Sequence, residues 1–331
     1  MSEKINLTID DIAKALDVSK TTVSRAISGK GRISDATRAR IHAYITEHNY
    51  RPNAAAKALA ENKTYNLAFV VPPAFIALDL PYVRKSMSAI AQEAFTKNYN
   101  ILICLSTDDD PTPLLRTLDH RKADGVILSR TVENDRLADI LVQRGVPFAT
   151  LGTLSLENHG KATVEVDHDQ VGGCRAFTLD FLHRGDGPVA ILGGNIHYIV
   201  NQSRLAGVKE ALRIAKVPRE SAIIRTELRT KEDCAGVIQE LLQMGVRRFL
   251  ATDDELCLHT LELLQSMGLD AKQDVQLASL IDSDALQQHR ISALDFDAAA
   301  LGRAACRELL HHLAGEPFDP SPLLGYRIIQ R

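Results

Sequence analysis

The chain has no tryptophan and few aromatics of any kind, seven Tyr and nine Phe in 331 residues. A site built on broad stacking surfaces, such as one for purine bases, has little to draw on. There are five cysteines, Cys104, Cys174, Cys234, Cys257 and Cys306, and no two form a CxxC pair. An odd, scattered set suits neither a disulfide framework nor a zinc site, and points to free thiols in a reducing cytoplasm. No apolar run approaches the ~20 residues that cross a bilayer as a helix. The polar start MSEKINLTIDD is unlike a secretory signal. Signatures of nucleotide and catalytic loops are missing too: there is no GxGxxG, GxxxxGKS/T, GxSxG or HExxH. ILGGN after a strand looks like a phosphate loop but lacks the spaced glycines and the lysine. The expectation is a cytoplasmic protein with no membrane partner, no metal and no cofactor.

Charge is present but unevenly placed. The formal net charge is −3, yet residues 1–66 hold 11 Lys and Arg against 7 Asp and Glu, and the remainder holds 28 against 35. A basic head on an acidic body suggests that only the head meets a polyanion. The charge alone does not exclude a chance fluctuation.

The head reads as short helices. Thr8 can cap a first helix carrying Ile12, Ala13 and Leu16. After the turn at Asp17-Val18, Ser19 can cap a second with Val23, Ala26 and Ile27 inward, stopped by Gly29 and Gly31. Ser34 can cap a third with Ile41, Tyr44 and Ile45 inward. Pro52 then breaks the pattern, and Asn53 can cap one more short helix to about Glu61. On the second helix Lys20, Thr21, Thr22, Arg25 and Ser28 are left outside, with Thr21, Arg25 and Ser28 spaced to share one face. A major groove admits such a helix, and short polar side chains with one Arg can reach base edges. The preceding helix would then cross the backbone, with its N-terminal N–H groups toward phosphate. Taken alone, the stretch fits a helical hairpin with a solvated polar face equally well.

From residue 66 the rhythm changes. NLAFVV, NILICLS, GVILS, PFATLG, TVEVD, PVAILGG, RRFLATD and VQLASLI alternate with amphipathic stretches. Continuous apolar strands between helices mean parallel sheets covered on both faces. The length is more than one sheet usually uses, so two α/β lobes are expected.

Together these motifs carry a resemblance. TIDDIAKALDVSKTTVSRAISGKGRISDATRARIHAYITEHNYRPNAAAKALA closely resembles the N-terminal domain of the lactose-repressor/galactose-repressor (LacI/GalR) family of bacterial transcription regulators. It matches the family's T-I-x-D-I-A, V-S-x-x-T-V-S-R, S-x-x-T-R and Y-x-P-N elements in order and spacing. DGVILS, GVPFATLG, VEVDHDQVGG, SRLAGV, FLATDDELCL and ALDFDAAALG fall where that family's ligand-binding core has its landmarks. The resemblance implies an α/β protein with an N-terminal helix-turn-helix domain and a two-lobed, periplasmic-binding-protein-like core of parallel sheets. The implied divisions are a DNA-binding domain over 1–52, a hinge helix and linker over 53–65, and a core over 66–331. The first lobe would take about 66–165 and 293–320, the second about 166–292 and 321–331.

It also implies roles. Lys20, Thr21 and Arg25 would read bases, with Thr22 positioning them. Thr8, Ser34 and Thr37 would meet phosphates. Ser28 stands where the family often has Asn. Asn53 and Lys57 would belong to a hinge helix whose Leu59 wedges into the minor groove; Lys57 replaces a common Arg, keeping the charge without the planar fork. In the cleft, Asp79 and Tyr82 of DLPY, Ser129 and Arg130 after the GVIL strand, Asp167, Arg204, Asp254 and Asp282 would face the ligand. Three departures stand out. The family's Asn-Asp pair is Asp253-Asp254, a usual Gly is His259, and the Gly-aromatic-Asp-Asp strand end is Ser279-Leu280-Ile281-Asp282, with the register of Asp282 open by one residue. Whether Asp253 and His259 touch ligand stays open.

Simpler explanations exist for each. Acidic clusters at strand ends are usually caps, and Arg130 could pair with Glu133 or Asp135. From other functional classes, an α/β enzyme with a nucleic-acid-binding appendage would use Asp253, Asp254 and Glu255 as acid/base groups or a magnesium site. A sugar-transport protein would lack the head. The expected function is a sequence-specific repressor acting as a homodimer on a pseudo-palindromic operator, since one helix reads only a half-site. No heptad tail follows GYRIIQ, so a tetramer bundle is not expected. With Asp, Arg and Ser in the cleft, the expected effector is a sugar, polyol, sugar acid or sugar phosphate.

Overall fold

The computed structural model describes residues 7–29, 31–48, 50, 58, 61–77, 80–157, 159–228, 230–271 and 273–331. Asn53, Lys57, Leu59 and Asp79 lie outside them. The chain divides into two units, Met1–Thr64 and Tyr65–Arg331.

The head contains α1 (Ile9–Ala15), α2 (Lys20–Ser28) and α3 (Asp35–Glu47). Each starts where a hydroxyl can cap it. Thr8 forms a reciprocal capping box with Asp11, Ser19 accepts from the Thr22 N–H, and Ser34 accepts from the Thr37 N–H. Between α1 and α2 the chain turns through Asp17 at φ 51°, and α2 ends on Gly29 at φ 68°, a conformation that costs glycine little. Ile12, Ala13, Val23, Ala26, Ile41 and Tyr50 form the buried centre. The Arg40 guanidinium donates to the Leu16 carbonyl, tying α3 to the end of α1.

The larger unit holds two six-stranded sheets. The first lobe runs β1 (Asn66–Val71), α4 (Pro73–Ala77), α5 (Pro81–Thr96), β2 (Asn100–Leu105), α6 (Thr112–Asp119), β3 (Gly125–Leu128), α7 (Arg136–Gln143), β4 (Phe148–Leu151) and β5 (Val164–His168). The second runs α8 (Gln170–His183), β6 (Val189–Leu192), α9 (Ile199–Ile214), β7 (Ala222–Arg225), α10 (Lys231–Gln243), β8 (Arg248–Ala251), α11 (Asp254–Ser266), β9 (Gln276–Ser279), α12 (Asp284–Gln288) and β10 (Ser292–Asp295). The chain then returns with α13 (Ala298–Ala314) and β11 (Leu323–Leu324) to the first lobe, and ends with β12 (Arg327–Ile329) in the second. All pairs are parallel except β10 with β12.

Alternation along the strands divides each core into two layers. Leu67, Phe69 and Val71 of β1 face α5 and α13, while Ala68 and Val70 face the side of α6 and α7. In the second lobe Ala190 and Leu192 face α10 and α11, and Val189 and Ile191 face α8 and α9. Two glycines let helices meet closely. A Cβ on Gly302 would lie 2.5 Å from the Ser86 carbonyl oxygen, and one on Gly207 2.5 Å from that of Val171. Those contacts explain the glycines of ALDFDAAALG and SRLAGV.

The crossings between lobes fall later than the sequence suggested at 165, 292 and 320. β5 stays in the first sheet through His168, β10 stays in the second through Asp295, and β11 still pairs with β5. The physical reason is continuity, since the expected breaks fell inside or just before strands already committed to neighbours. Three rings mark the crossings. His168 meets Phe296 edge-on at 5.3 Å, and Phe296 meets Tyr326 at 6.4 Å.

Candidate DNA-reading face and effector cleft

On α2, burial of Val23 and Ala26 leaves Thr21 and Arg25 exposed. Lys20 is also exposed but ion-pairs with Asp10 of α1 at 2.6 Å. Such a surface pair is worth little and exchanges readily for phosphate. Thr22 shares a hydroxyl contact with Ser19, and Thr37 shares one with Ser34. Thr8 bonds Asp11 through both backbone and hydroxyl, holding that carboxyl below its usual range. Thr8, Thr22, Ser34 and Thr37 are thus components of helix starts, and Thr21 and Arg25 make up the outward polar face.

In the core, β1 and β3 deliver their loops to one end of the first sheet. Tyr82 sits in the first turn of α5, which Pro81 opens. Its hydroxyl donates to the Ser129 carbonyl at 3.4 Å. Burial of that hydroxyl raises its pKa, Asp167 adding to the effect and Arg204 opposing it. Tyr82 thus bonds Ser129 and feels the charges of Asp167 and Arg204. Asp167 is 7% exposed. Its oxygens accept from the Thr153 N–H and hydroxyl, the His168 N–H and the Gln170 amide, and burial raises its pKa. Arg204 on α9 reaches Gln170 Oε1, Asn201 Oδ1 and the Thr252 carbonyl at 3.2–3.4 Å. No carboxylate among the described residues lies in ion-pair range of it.

Arg130 pairs with neither Glu133 nor Asp135. Its Nη2 donates to Asp108 at 3.0 Å, and its guanidinium lies 5.6 Å from the centre of the Tyr198 ring, within cation–π range. Tyr198 belongs to the second lobe. There the lobes touch: Val132 bridges Tyr198, the Glu133 N–H donates to the His197 carbonyl, and the Ile199 N–H donates to the Thr131 carbonyl. Beside this seam a cavity of about 10 Å³ is lined by Ser106, Ser129, Arg130 and Asp135. It is lined by first-lobe residues alone and is far smaller than the roughly 300–1,000 Å³ of small-molecule sites. A larger concavity of about 430 Å³ lies between α9 and β7; it is an open groove that none of the candidate residues lines.

Two acidic candidates have other work. Asp253 caps α11 by accepting from the Leu256 N–H, and Asp254 lies partly exposed in the first turn, both favoured by the positive helix end. Both oxygens of Asp282 are held by the Arg331 guanidinium at 2.6 and 2.7 Å, which gives this candidate a structural partner within the second lobe. His259 carries a buried Nδ1 with no partner. Sequence reasoning missed Asp108, Asn201, Gln170, Tyr198 and Thr252. Only Asn201 and Tyr198 had a signal, lying on the face of α9 that also carries Arg204.

Asp135 gives a pH prediction. It accepts from the Val132 and Ala138 N–H groups, but burial, then the Asp108 charge, push its pKa up to about 6. A carboxyl with a raised folded pKa favours folding most below its ordinary value of 3.8 and loses that contribution as pH rises through about 6. The span is about two units, or roughly 3 kcal/mol at most. Asp135→Asn, which can still cap α7 but gives up the Val132 N–H bond, should remove this pH dependence. The expected result is a variant whose stability relative to wild type rises from pH 4.5 to pH 7.5 in thermal melts. A difference between variant and wild type that is the same at both pH values would contradict the assignment.

Residues 8–53 match the model for bacterial regulatory proteins of the lacI family, and residues 181–331 match that for a periplasmic binding protein-like domain. The chain is 27% identical over 314 residues to the ribose operon repressor of Haemophilus influenzae, covering 92% of each protein. It shares its fold with the transcriptional regulator CelR in complex with cellobiose, at a TM-score of 0.72, 23% identity and 98% coverage of both chains. It also shares it with the lac repressor dimer bound to operator and the anti-inducer ONPF, at 0.77, 19% and 98% of both. With a lacI-type helix-turn-helix head and a periplasmic-binding-protein-like core on one chain, this protein belongs to the LacI family of transcription regulators.

Proposed function

We propose that the protein is a transcriptional repressor that binds a two-fold symmetric operator as a homodimer and is switched by a sugar-like effector held between the lobes of the core. The observation that carries this reading is the pairing, on one chain, of an exposed Thr21–Arg25 face with a cleft whose Arg204 is held only by long bonds to neutral groups. A loosely held guanidinium is ready to grip ligand oxygens as a fork of donors. The relatives add support: one is named for repression of a sugar operon, one structure holds cellobiose, and one is a dimer on operator.

Two further features fit. Ile103 and Leu105 on the edge strand β2 are 48% and 43% exposed, side by side with the buried Phe69 and Val71. An apolar strip on an unpaired edge suits burial against a second copy. Asn53, Lys57 and Leu59 retain their proposed hinge-helix role from the sequence resemblance, and the site of action is the cytoplasm. No helix among the described residues is long and apolar enough to cross a membrane. The test is selection from random duplexes. A two-fold symmetric consensus bound by a dimer, with affinity falling as salt rises, is expected. Capture of asymmetric or unrelated sequences would end the operator reading.

A further inference from the structure

The cleft is lopsided in what it leaves unsatisfied. Three of its carboxylates are occupied, Asp167 by Thr153, His168 and Gln170, Asp253 by the start of α11, and Asp282 by Arg331, while both ring nitrogens of His168 are buried with no partner. Its unused groups include donors. Arg130 Nε and Nη1 and Ser129 Oγ are buried with no partner, and Ser129 is 1% exposed. A guanidinium offers five N–H donors, and leaving them buried without acceptors is costly.

The neighbouring carboxylates do not meet this demand. Asp108 takes only Nη2, while its other oxygen accepts from the Arg136 and Leu137 N–H groups at the start of α7. The oxygens of Asp135 accept from Val132 and Ala138, so that its charge acts on Arg130 without a hydrogen bond to it. Tyr198 contributes a ring face without formal charge. On the opposite wall Arg204 also has no carboxylate in range among the described residues, only Gln170, Asn201 and the Thr252 carbonyl. Arg130 thus keeps two buried nitrogens without a partner, and Arg204 is held by uncharged groups alone.

We propose that the effector is an anionic sugar derivative, a sugar acid or a sugar phosphate, whose acidic group is bound by Arg130 and Ser129. This rests on the cleft being the effector site. A carboxylate or phosphate presents paired acceptors that match the guanidinium fork, and Ser129 Oγ adds a third bond. A neutral hydroxyl offers one oxygen and brings a proton that Arg130 cannot accept. Because Arg130 lies against Tyr198 beside the 131–133 and 197–199 seam, an anion there acts directly on the contact between lobes.

The test uses the full chain and matched ligands: gluconate against glucitol, galactonate against galactitol, and glucose 6-phosphate against glucose, with inorganic phosphate and cellobiose alongside, by calorimetry and thermal shift. The acid of at least one pair should bind about tenfold or more tighter than its neutral partner. Arg130→Gln should erase that preference, and Arg130→Lys should keep part of it. Ser129→Ala, which leaves the charges untouched, should weaken the acid severalfold. Neutral members binding as well as their acids, or a preference that survives Arg130→Gln, overturns the proposal while the effector reading stands. Inorganic phosphate binding as tightly as the sugar phosphate marks a general anion site and also overturns it. If no sugar of any charge binds, the effector reading fails and takes this proposal with it.

Discussion

Replacing Arg204 by Ala is expected to abolish the response to effector while leaving the ligand-free protein folded. Among the described residues Arg204 has three hydrogen bonds, all at 3.2–3.4 Å and all to uncharged groups. Each is weak by its length, so little stability is lost with it. The Arg204 and Asp167 charges both act on the Tyr82 hydroxyl of the first lobe. A ligand bound to both lobes favours one closure over another, and only that differential affinity can shift the equilibrium. A ligand at 100 times its Kd stabilises a protein by about 2.7 kcal/mol, a shift of several degrees that the Arg204→Ala variant should lack. Equal stabilisation of variant and wild type would show that the ligand binds elsewhere.

Arg25→Ala is expected to cost about 1–3 kcal/mol on the selected operator, up to about a hundredfold in affinity, and little on random duplex. Arg25 sits in the last turn of α2, exposed, on the same side as Thr21. The buried Val23 and Ala26 fix the rotation of the helix, so the polar face is held by the core of the head. Ile12 and Ile41 pack into that same core. Lys20 should behave differently. Tied to Asp10, it must give up one ion pair to reach a base edge, and its loss should cost less on the operator than that of Arg25. Equal losses for Arg25→Ala on operator and random duplex, in gel-shift or fluorescence titrations, would reduce Arg25 to a phosphate contact.

What the sequence disclosed follows the range of the interactions. Caps are local, and Thr8, Ser19 and Ser34 stand where a hydroxyl three residues ahead of an N–H was readable. Strands of continuous apolar residues were readable for the same reason. β7 and β10, four residues each and less apolar at their ends, were passed over. Asp253 was legible as a cap and open as a ligand, and the structure shows it capping. The partners of charged residues were not legible. Arg130 lies beside Glu133 and Asp135 in sequence but pairs with Asp108, 22 positions away. Asp282 finds Arg331, 49 positions away. Sheet order decides such meetings, and no local pattern encodes it. The lobe crossings were misplaced because a strand ends where its neighbours end. His168, Asp295 and Leu324 reveal their sheets only through β4, β9 and β5.

The central claim is that one equilibrium joins the cleft to the DNA-reading head, and the most direct measurement is operator affinity with and without saturating effector. Coupling free energies of this kind are typically about 1–3 kcal/mol, or 5–150-fold. The account predicts a change of that size in operator affinity. It predicts the same factor in effector affinity when operator is saturating, since linkage is reciprocal, and no change for Arg204→Ala. An effector that binds the cleft tightly yet leaves operator affinity unaltered would contradict it.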